Sequence, residues 1–414
     1  MKILFITHYY EPDSGAAANR LTRLAKQLHQ RGHEVTVLTT MPHYPTGVIP
    51  PEYRGKFVVV ENREGIRVIQ IWLLTFTNTA ISRRLLSQLS FMVTLALRGI
   101  FIKRPDVILI ENQPIFTALA GWFISRIKRT PYLANISDFW PEYLVTAGVA
   151  TETSLIYRVF KLLANHTQRQ ADAIVTLYPP LLDKVKDRIG EIEHSKVIYN
   201  AVDFDKFKVN TDDVEFRQRY NLGSERLVTF LGILGAHIDL ETMLTVAKHF
   251  ANHDNLKFVF VGAGQQKELL QSALQQPEYS HCVWIDWIDY HDVPAFWAAS
   301  YLTYWALHDN PLDQMRFQAK LFEAMGTGTP MVVAVHGLMH NIITEADAGI
   351  TVRPGDTNAM IDAIDNLMDD TTTYNRLSQN AQRYAETHFN PKQNADDYEM
   401  MLKLIARSTE NSPE

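Results

Sequence analysis

Residues 2–40 read KILFITHYYEPDSGAAANRLTRLAKQLHQRGHEVTVLTT, and this stretch decides the fold. Lys2–Thr7 is an apolar run of strand length, and a loop holding Pro12 and Gly15 follows it. Ala16–Arg31 predicts a helix, because Leu21, Leu24 and Leu28 recur at the i, i+3, i+7 spacing of one helical face. Gly32 stops that helix, and Glu34–Thr40 predicts the next strand. Strand, helix and strand within about 40 residues make a βαβ unit, which requires a parallel sheet.

The alternation continues outward from there. Strand-length runs in the first half are Phe57–Val60, Arg67–Ile71, Val107–Ile110, Tyr132–Asn135, Ala173–Thr176 and Lys196–Tyr199. The second half predicts strands at Leu227–Leu231, Leu256–Val261, Val283–Ile285, Leu302–Tyr304, Pro330–Val335 and Ile350–Val352. Helices fall between and after them, at Leu240–Phe250, Gln265–Leu274, Val293–Ser300, Thr357–Met368 and Tyr374–Thr387. Another helix carries Lys320–Met325, a short one lies near Asn341–Glu345, and the last, Asn394–Ala406, follows Asn390-Pro391. Two α/β domains of about 200 residues each result, with a boundary near Asn200–Phe207. Doubly wound sheets take ligands at the carboxyl ends of their strands, so a cleft between the domains is the expected binding place.

Composition removes several classes. Of 414 residues, 46% are hydrophobic and 21% charged, too apolar for disorder. The single cysteine, Cys282, allows no internal disulfide and fits a reducing compartment. The opening apolar run is too short for a signal peptide, and no run of ~20 apolar residues predicts a spanning helix. No GxxxxGK[ST], HExxH or paired-cysteine spacing is present, which argues against P-loop hydrolysis and metal chemistry. A pI near 6.2 and the lack of a motif argue against nucleic acid. Charge is uneven: residues 1–200 hold 24 Lys+Arg against 16 Asp+Glu, and residues 201–414 hold 16 against 30. The basic half suits an anionic membrane or a phosphate-bearing partner.

One segment stands apart. Ser82–Arg104 is strongly apolar, with Arg83 and Arg84 at one end and Lys103 and Arg104 at the other. Two readings stay open, an in-plane membrane helix with snorkelling cations and a buried core helix. Leu119–Lys128 is a second stretch of this kind.

Two places in the first half can carry chemistry. Tyr9–Ala18 brings small residues, Gly15 and Ala16 among them, into a helix N-terminus, where free N–H groups and the dipole favour an anion. Asp138, in Ile136-Ser137-Asp138-Phe139-Trp140-Pro141-Glu142, follows a strand directly. Its carboxylate either serves an acceptor hydroxyl, as hydrogen-bond partner or base, or caps the next helix.

Val197-Ile198-Tyr199-Asn200-Ala201-Val202-Asp203-Phe204, set between two α/β stretches, resembles the interdomain segment of family 4 glycosyltransferases. The resemblance covers nearly the whole chain. It includes the opening Pro-Gly loop, Gly32–Thr39, Ala171–Thr176, the Val261-Gly262-Ala263-Gly264 turn, and Lys320-Leu321-Phe322-Glu323-Ala324-Met325-Gly326-Thr327-Gly328-Thr329-Pro330. The Asp-Phe-Trp-Pro-Glu motif and the basic-flanked apolar segment are similar to the branch that builds bacterial capsule, exopolysaccharide or O-antigen.

The resemblance implies an α/β, GT-B fold, two doubly wound Rossmann-like domains facing across a cleft. Residues 1–200 would bind the acceptor, with a helix at 390–407 crossing back, and residues 201–389 would bind the donor. The implied activity is retaining transfer from a nucleotide sugar, UDP-sugar favoured, to a polyprenyl-diphosphate-linked saccharide. No metal or other cofactor is implied. Glu323 would hold the ribose hydroxyls, and Lys320 and Arg316 the diphosphate, with the amide of Leu321. Gly232, Gly235, His237, Gly262 and Gly264 would line the donor loops, and Ile288 would meet the base. Gly15, Ala16 and Asp138 would serve the acceptor, and Asp138, Glu323 and Lys320 are the catalytic set. Trp284 and Trp287 are expected to pack. Three positions depart from the pattern: Met315 stands where the family has its first glutamate, and Ile233 and Asp239 where it has Arg and Lys. The expected place is cytoplasmic or peripheral on the inner face of the cell membrane. The alternatives are a soluble transferase with a small acceptor and a non-catalytic subunit of a polysaccharide assembly complex.

Overall fold

The computed structural model describes all residues except 14, 45, 78–80, 147–149, 208–211, 311–314, 316 and 411–414. The chain divides into two compact units, Met1–Asn200 with Pro391–Glu414, and Ala201–Asn390.

The first unit is built on eight strands: β1 (Lys2–Ile6), β2 (Glu34–Thr40), β3 (Val58–Arg63), β4 (Ile66–Ile71), β5 (Val107–Glu111), β6 (Tyr132–Ile136), β7 (Ala173–Thr176) and β8 (Ser195–Val197). They lie in the order β3-β4-β2-β1-β5-β6-β7-β8. Every residue of β5 and β6 is buried, as strands covered on both faces require. The sheet is parallel except at β3, which pairs antiparallel with β4. Two residues at positive φ, Glu64 and Gly65, close that hairpin, the backbone that a tight two-residue turn needs. Sequence periodicity points to the strand but not to its direction.

Among the described residues, these strands are connected by α1 (Ala16–Gln30), α2 (Ile81–Ile100), α3 (Ile115–Lys128), α4 (Tyr143–Thr146), α5 (Leu155–Arg169) and α6 (Pro179–Ile189). Leu21, Leu24 and Leu28 of α1 are buried in the core with β1 and β2. The α2 helix buries one face and exposes the other. Phe91 and Leu95 are fully buried, and Gly99 lets α3 approach so closely that a Cβ would stand 2.3 Å from Ile124 Cδ1. The outward face leaves Leu86, Leu89, Val93 and Leu97 exposed. In α3, Ala120, Gly121, Ile124 and Ser125 are buried while Phe123 and Ile127 are exposed. Among the described residues, no helix is long and apolar enough to cross a membrane.

The second unit holds a six-stranded parallel sheet of β9 (Arg226–Leu231), β10 (Leu256–Val261), β11 (Cys282–Ile285), β12 (Ser300–Ala306), β13 (Met331–Ala334) and β14 (Gly349–Val352). Their order is β11-β10-β9-β12-β13-β14. Its helices are α7 (Val214–Arg219), α8 (Leu240–His249), α9 (Lys267–Ala273), α10 (Val293–Ala299), α11 (Ala319–Gly326), α12 (Gly337–Ala346), α13 (Thr357–Asp369) and α14 (Thr371–His388). The final helix, α15 (Pro391–Glu410), belongs to the first unit. Ala395, Tyr398, Met401, Leu402 and Ile405 form one apolar face that enters the core of β1 and α1. Tyr398 Oη also donates to Asn135 Oδ1 at 2.7 Å, which fixes the helix over β6.

Candidate functional site

In each sheet the strand order turns outward in both directions from one adjacent pair, β1 and β5 in the first and β9 and β12 in the second. Such a switch point opens a crevice at the carboxyl ends of the strands. The candidate residues gather at these two places.

In the second unit, the loops after β9 and β10 are joined by their backbones. Gly232 N donates to Val261 O at 3.0 Å, Leu234 N to Ala263 O at 3.0 Å, and Gln266 N to Leu234 O at 3.0 Å. A Cβ on Gly262, at φ +137°, would stand 1.9 Å from Gly232 O, and one on Gly264 would stand 2.5 Å from Leu234 O. The close approach these glycines permit is therefore of one loop to the other. Gly262→Ala is expected to cost about 2–4 kcal/mol from strain and overpacking, read as a lowered unfolding midpoint. An unchanged midpoint would show that the two loops can separate freely.

Lys320 rises from the first turn of α11 into this junction. It is 8% exposed, and its Nζ lies 4.1 Å from the Phe230 ring centroid and 4.5 Å from that of Trp305. A Cβ on Gly232 would be 3.5 Å from that Nζ. No carboxylate among the described residues pairs with it. Burial holds its ammonium well below the usual lysine range. Phe230 is the penultimate residue of β9 and Trp305 of β12, so the amine sits at the switch point. A buried cation with only ring faces for company needs an anion.

Glu323 lies one turn further along α11, half-buried, and Trp297 Nε1 of α10 donates to its Oε2 at 3.1 Å. Trp297 is buried and positions this carboxylate, a role that sequence reasoning did not find. Leu321 is corrected: its side chain is fully buried and its N–H already donates to Gln318 O at 3.0 Å. The amide is spent on the first turn of the helix. Asp239 caps α8, accepting from Thr242 N at 3.1 Å and Thr242 Oγ1 at 2.7 Å, so its charge is engaged by a helix N-terminus. The His237 ring packs against Gly235, and Gln266 Nε2 donates to Gly235 O at 2.7 Å. The Ile288 side chain is buried. Trp284 packs as expected, donating to Gly262 O at 2.9 Å. Trp287 does not; it is 66% exposed beside Ile288. Arg316 lies outside the described residues.

In the first unit, Gly15, Ala16 and Asp138 line one cavity of about 520 Å³. Gly15 caps α1 at φ +130°, a conformation favouring glycine. Asp138 lies five residues before α4, and its Oδ1 accepts from Phe139 N at 2.8 Å. Its loop is fixed by Gln113, which donates to Asp138 O at 2.8 Å and accepts from Ser137 N at 2.9 Å. Beneath it, Glu111 accepts from Arg20 Nη2 at 2.8 Å, Asn135 Nδ2 at 2.6 Å and Ser137 Oγ at 2.5 Å, a buried charge with its lone pairs satisfied.

The opposite wall was not legible in sequence. His8, directly after β1, is 2% exposed, and burial, followed by the neighbouring His43, holds its imidazole well below the usual range. Asp13 accepts from the amides of His43 and Tyr44 at 2.8 and 2.9 Å and so folds residues 41–44 over the cavity. Burial pushes its carboxyl upward.

Comparison with known proteins agrees with this architecture. Residues 15–201 match the family model described as glycosyl transferase 4-like domain, and residues 212–384 the one described as glycosyl transferases group 1. An uncharacterized glycosyltransferase of Methanocaldococcus jannaschii is 22% identical, over 98% of this chain and 100% of that protein. Sucrose-phosphate synthase of Thermosynechococcus elongatus superposes with a TM-score of 0.75 at 16% identity, over 98% of this chain and 99% of that one. Anabaena HepE, in complex with UDP, superposes at 0.71 with 18% identity, over 98% and 100%. With both halves matched to glycosyltransferase domains and the fold shared with such enzymes throughout, the chain is a family 4-type glycosyltransferase of the GT-B fold.

Proposed function

We propose that this chain transfers a sugar from a nucleotide sugar, UDP-sugar favoured, to a polyprenyl-diphosphate-linked saccharide, with retention at the anomeric carbon, in cell-surface polysaccharide synthesis. One observation carries the donor half: Lys320, a buried amine without a counter-ion among the described residues, at the switch point of the second sheet. A donor diphosphate is the anion that this amine lacks. The UDP bound by HepE supports the nucleotide class.

In the step proposed, the bond between anomeric carbon and diphosphate oxygen breaks as the acceptor oxygen bonds on the same face. The acceptor proton passes to the leaving diphosphate. Lys320 stabilises the charge that develops there, Glu323 holds the ribose, and Asp138 orients the acceptor hydroxyl. No metal is assigned a part. The lipid-linked acceptor and a peripheral place on the membrane are supported by the outward face of α2. Leu97 on that face and Phe101 just past the helix end are 59% and 79% exposed, with Arg98, Lys103 and Arg104 close in sequence. A non-catalytic GT-B subunit is the second reading, and Met315 in place of a carboxylate favours it.

Calorimetric titration with UDP, GDP and ADP tests the donor assignment. One nucleotide is expected to bind selectively. Binding above the lowered pKa of Lys320 should take up a proton, because the diphosphate restores the ammonium. The uptake shows as a binding heat that changes with the ionisation enthalpy of the buffer. If none of the three binds, the donor site fails and the non-catalytic reading takes its place.

A further inference from the structure

Each sheet ends in two edge strands, β3 and β8 in the first unit and β11 and β14 in the second. Three of these edges are short: β8 has three residues, β11 four and β14 four, and none of those residues is exposed. The β3 edge differs. It has six residues, exposed and half-buried in alternation, and Val58 and Val60 are 40% and 50% exposed. Phe57, just before it, is 74% exposed. Sheet edges are ordinarily blunted by brevity, lysine, proline or a bulge. The β3 strand contains neither lysine nor proline, and its register with β4 runs unbroken from the Val58–Ile71 pair to the Arg63–Ile66 pair.

The ladder fixes which backbone groups this edge offers. Phe57 O accepts from Trp72 N at 3.0 Å, one step before the Val58–Ile71 pair. Bonded and non-bonded pairs alternate along an antiparallel ladder, so Val59, Glu61 and Arg63 turn their N–H and C=O groups toward β4. Those of Val58, Val60 and Asn62 point away from the sheet, and no backbone hydrogen bond among the described residues engages them. Glu61 and Arg63 carry the charges of the strand, and they pair with each other on the face of Val59. The outward row of donors and acceptors therefore runs beside exposed valines.

We propose that β3 pairs antiparallel with β3 of a second copy of this chain, joining the two first-unit sheets edge to edge about a two-fold axis. Side-chain matching sets the register. With the axis at Val59, Val58 of each chain lies opposite Val60 of the other, and Lys56 lies opposite Asn62 and diagonal to Glu64. No like charges face each other in that register. An axis at Val60 sets Val58 against Asn62 and Val59 against Glu61, and an axis at Glu61 sets two carboxylates face to face. The strand is thus self-complementary at one register, which is what an isologous dimer requires. An unrelated peptide strand would gain the backbone bonds without this match. Nothing in the interface depends on the transferase activity.

Sedimentation equilibrium of the full chain from about 1 to 100 μM tests the proposal, and a monomer–dimer equilibrium is expected in that range. Val60→Pro should weaken the dimer by about tenfold or more, because it removes an outward N–H and leaves the ladder to β4 intact. Val60→Lys, which changes an exposed side chain only, should do the same with the circular dichroism spectrum of the wild type. Val59→Cys should close a disulfide between copies on mild oxidation. Residues facing each other at a non-bonded pair have Cα atoms about 4.5 Å apart, within disulfide reach. Asn62→Cys, about 20 Å from its counterpart in this register, should not cross-link. A monomer throughout the range overturns the proposal. A dimer that both Val60 variants leave unchanged places the interface elsewhere and overturns it equally. Cross-linking through Asn62→Cys and not Val59→Cys overturns the register.

Discussion

Lys320→Met is expected to abolish sugar transfer while making the folded chain more stable. The two effects have one cause. In the free protein the Lys320 amine is buried between Phe230 and Trp305, with no carboxylate among the described residues to meet it. The rings recover part of the desolvation cost, and the remainder is borne by the fold. Methionine fills nearly the same volume without charge, so unfolding should become harder by about 1–2 kcal/mol. Transfer should fall by about 10³-fold or more, because the leaving diphosphate would lose the buried cation proposed to face it. The pH dependence has a definite sign. The folded-state pKa of Lys320 lies well below its unfolded value of 10.5. Between those two values the unfolded chain binds more protons, so the wild-type protein gains stability as pH rises through that window. The advantage of the methionine variant is therefore largest at the acid end of that window and shrinks toward pH 10.5. Thermal unfolding across pH, beside kcat/KM, reads both. A destabilised variant, or one with unchanged turnover, would remove Lys320 from the donor site.

Glu323→Ala should weaken nucleotide binding by about 10–100-fold, the loss of charge-assisted hydrogen bonds worth about 1.5–3 kcal/mol. It should also destabilise the second unit, because Trp297 Nε1 donates to this carboxylate and would be left buried without a partner. Glu323→Gln separates the two effects. Its amide oxygen still accepts from Trp297, so stability should hold. Its amide nitrogen cannot accept from ribose hydroxyls, so affinity should still fall. Calorimetry and thermal unfolding of both variants decide this. Full nucleotide affinity in Glu323→Gln would leave Glu323 as a structural partner of Trp297 alone.

The limits of the sequence reading follow from particular residues. Lys320 and Glu323 are singled out in the sequence by the resemblance of residues 320–330 to the family's donor-site helix. Trp297 is not, because it lies 26 positions from Glu323 and only the packing of α10 against α11 brings them together. Leu321 misleads for a local reason: a backbone amide near a helix N-terminus looks free until the first turn is seen to use it. Asp239 looks like a charge that repels phosphate until its carboxylate is seen to cap α8. Trp284 and Trp287 are equivalent in sequence, three residues apart beside one short strand. One is held by Gly262 O and the other is exposed.

The sequence alone determined the two α/β halves, their junction near Asn200 and the elements that carry Gly15, Asp138, Gly262, Lys320 and Glu323. Periodicity, helix stops and glycine turns are local properties, and short windows encode them. Only the tertiary structure decided what each side chain faces. It buried Lys320 between two rings from adjacent strands and left His8 Nδ1 without a hydrogen-bond partner among the described residues. It also turned one face of α2 to the core and the other outward. Burial and hydrogen-bond partnership are set by residues distant in the chain, and these two quantities fix which charges stay unpaired and available to a ligand.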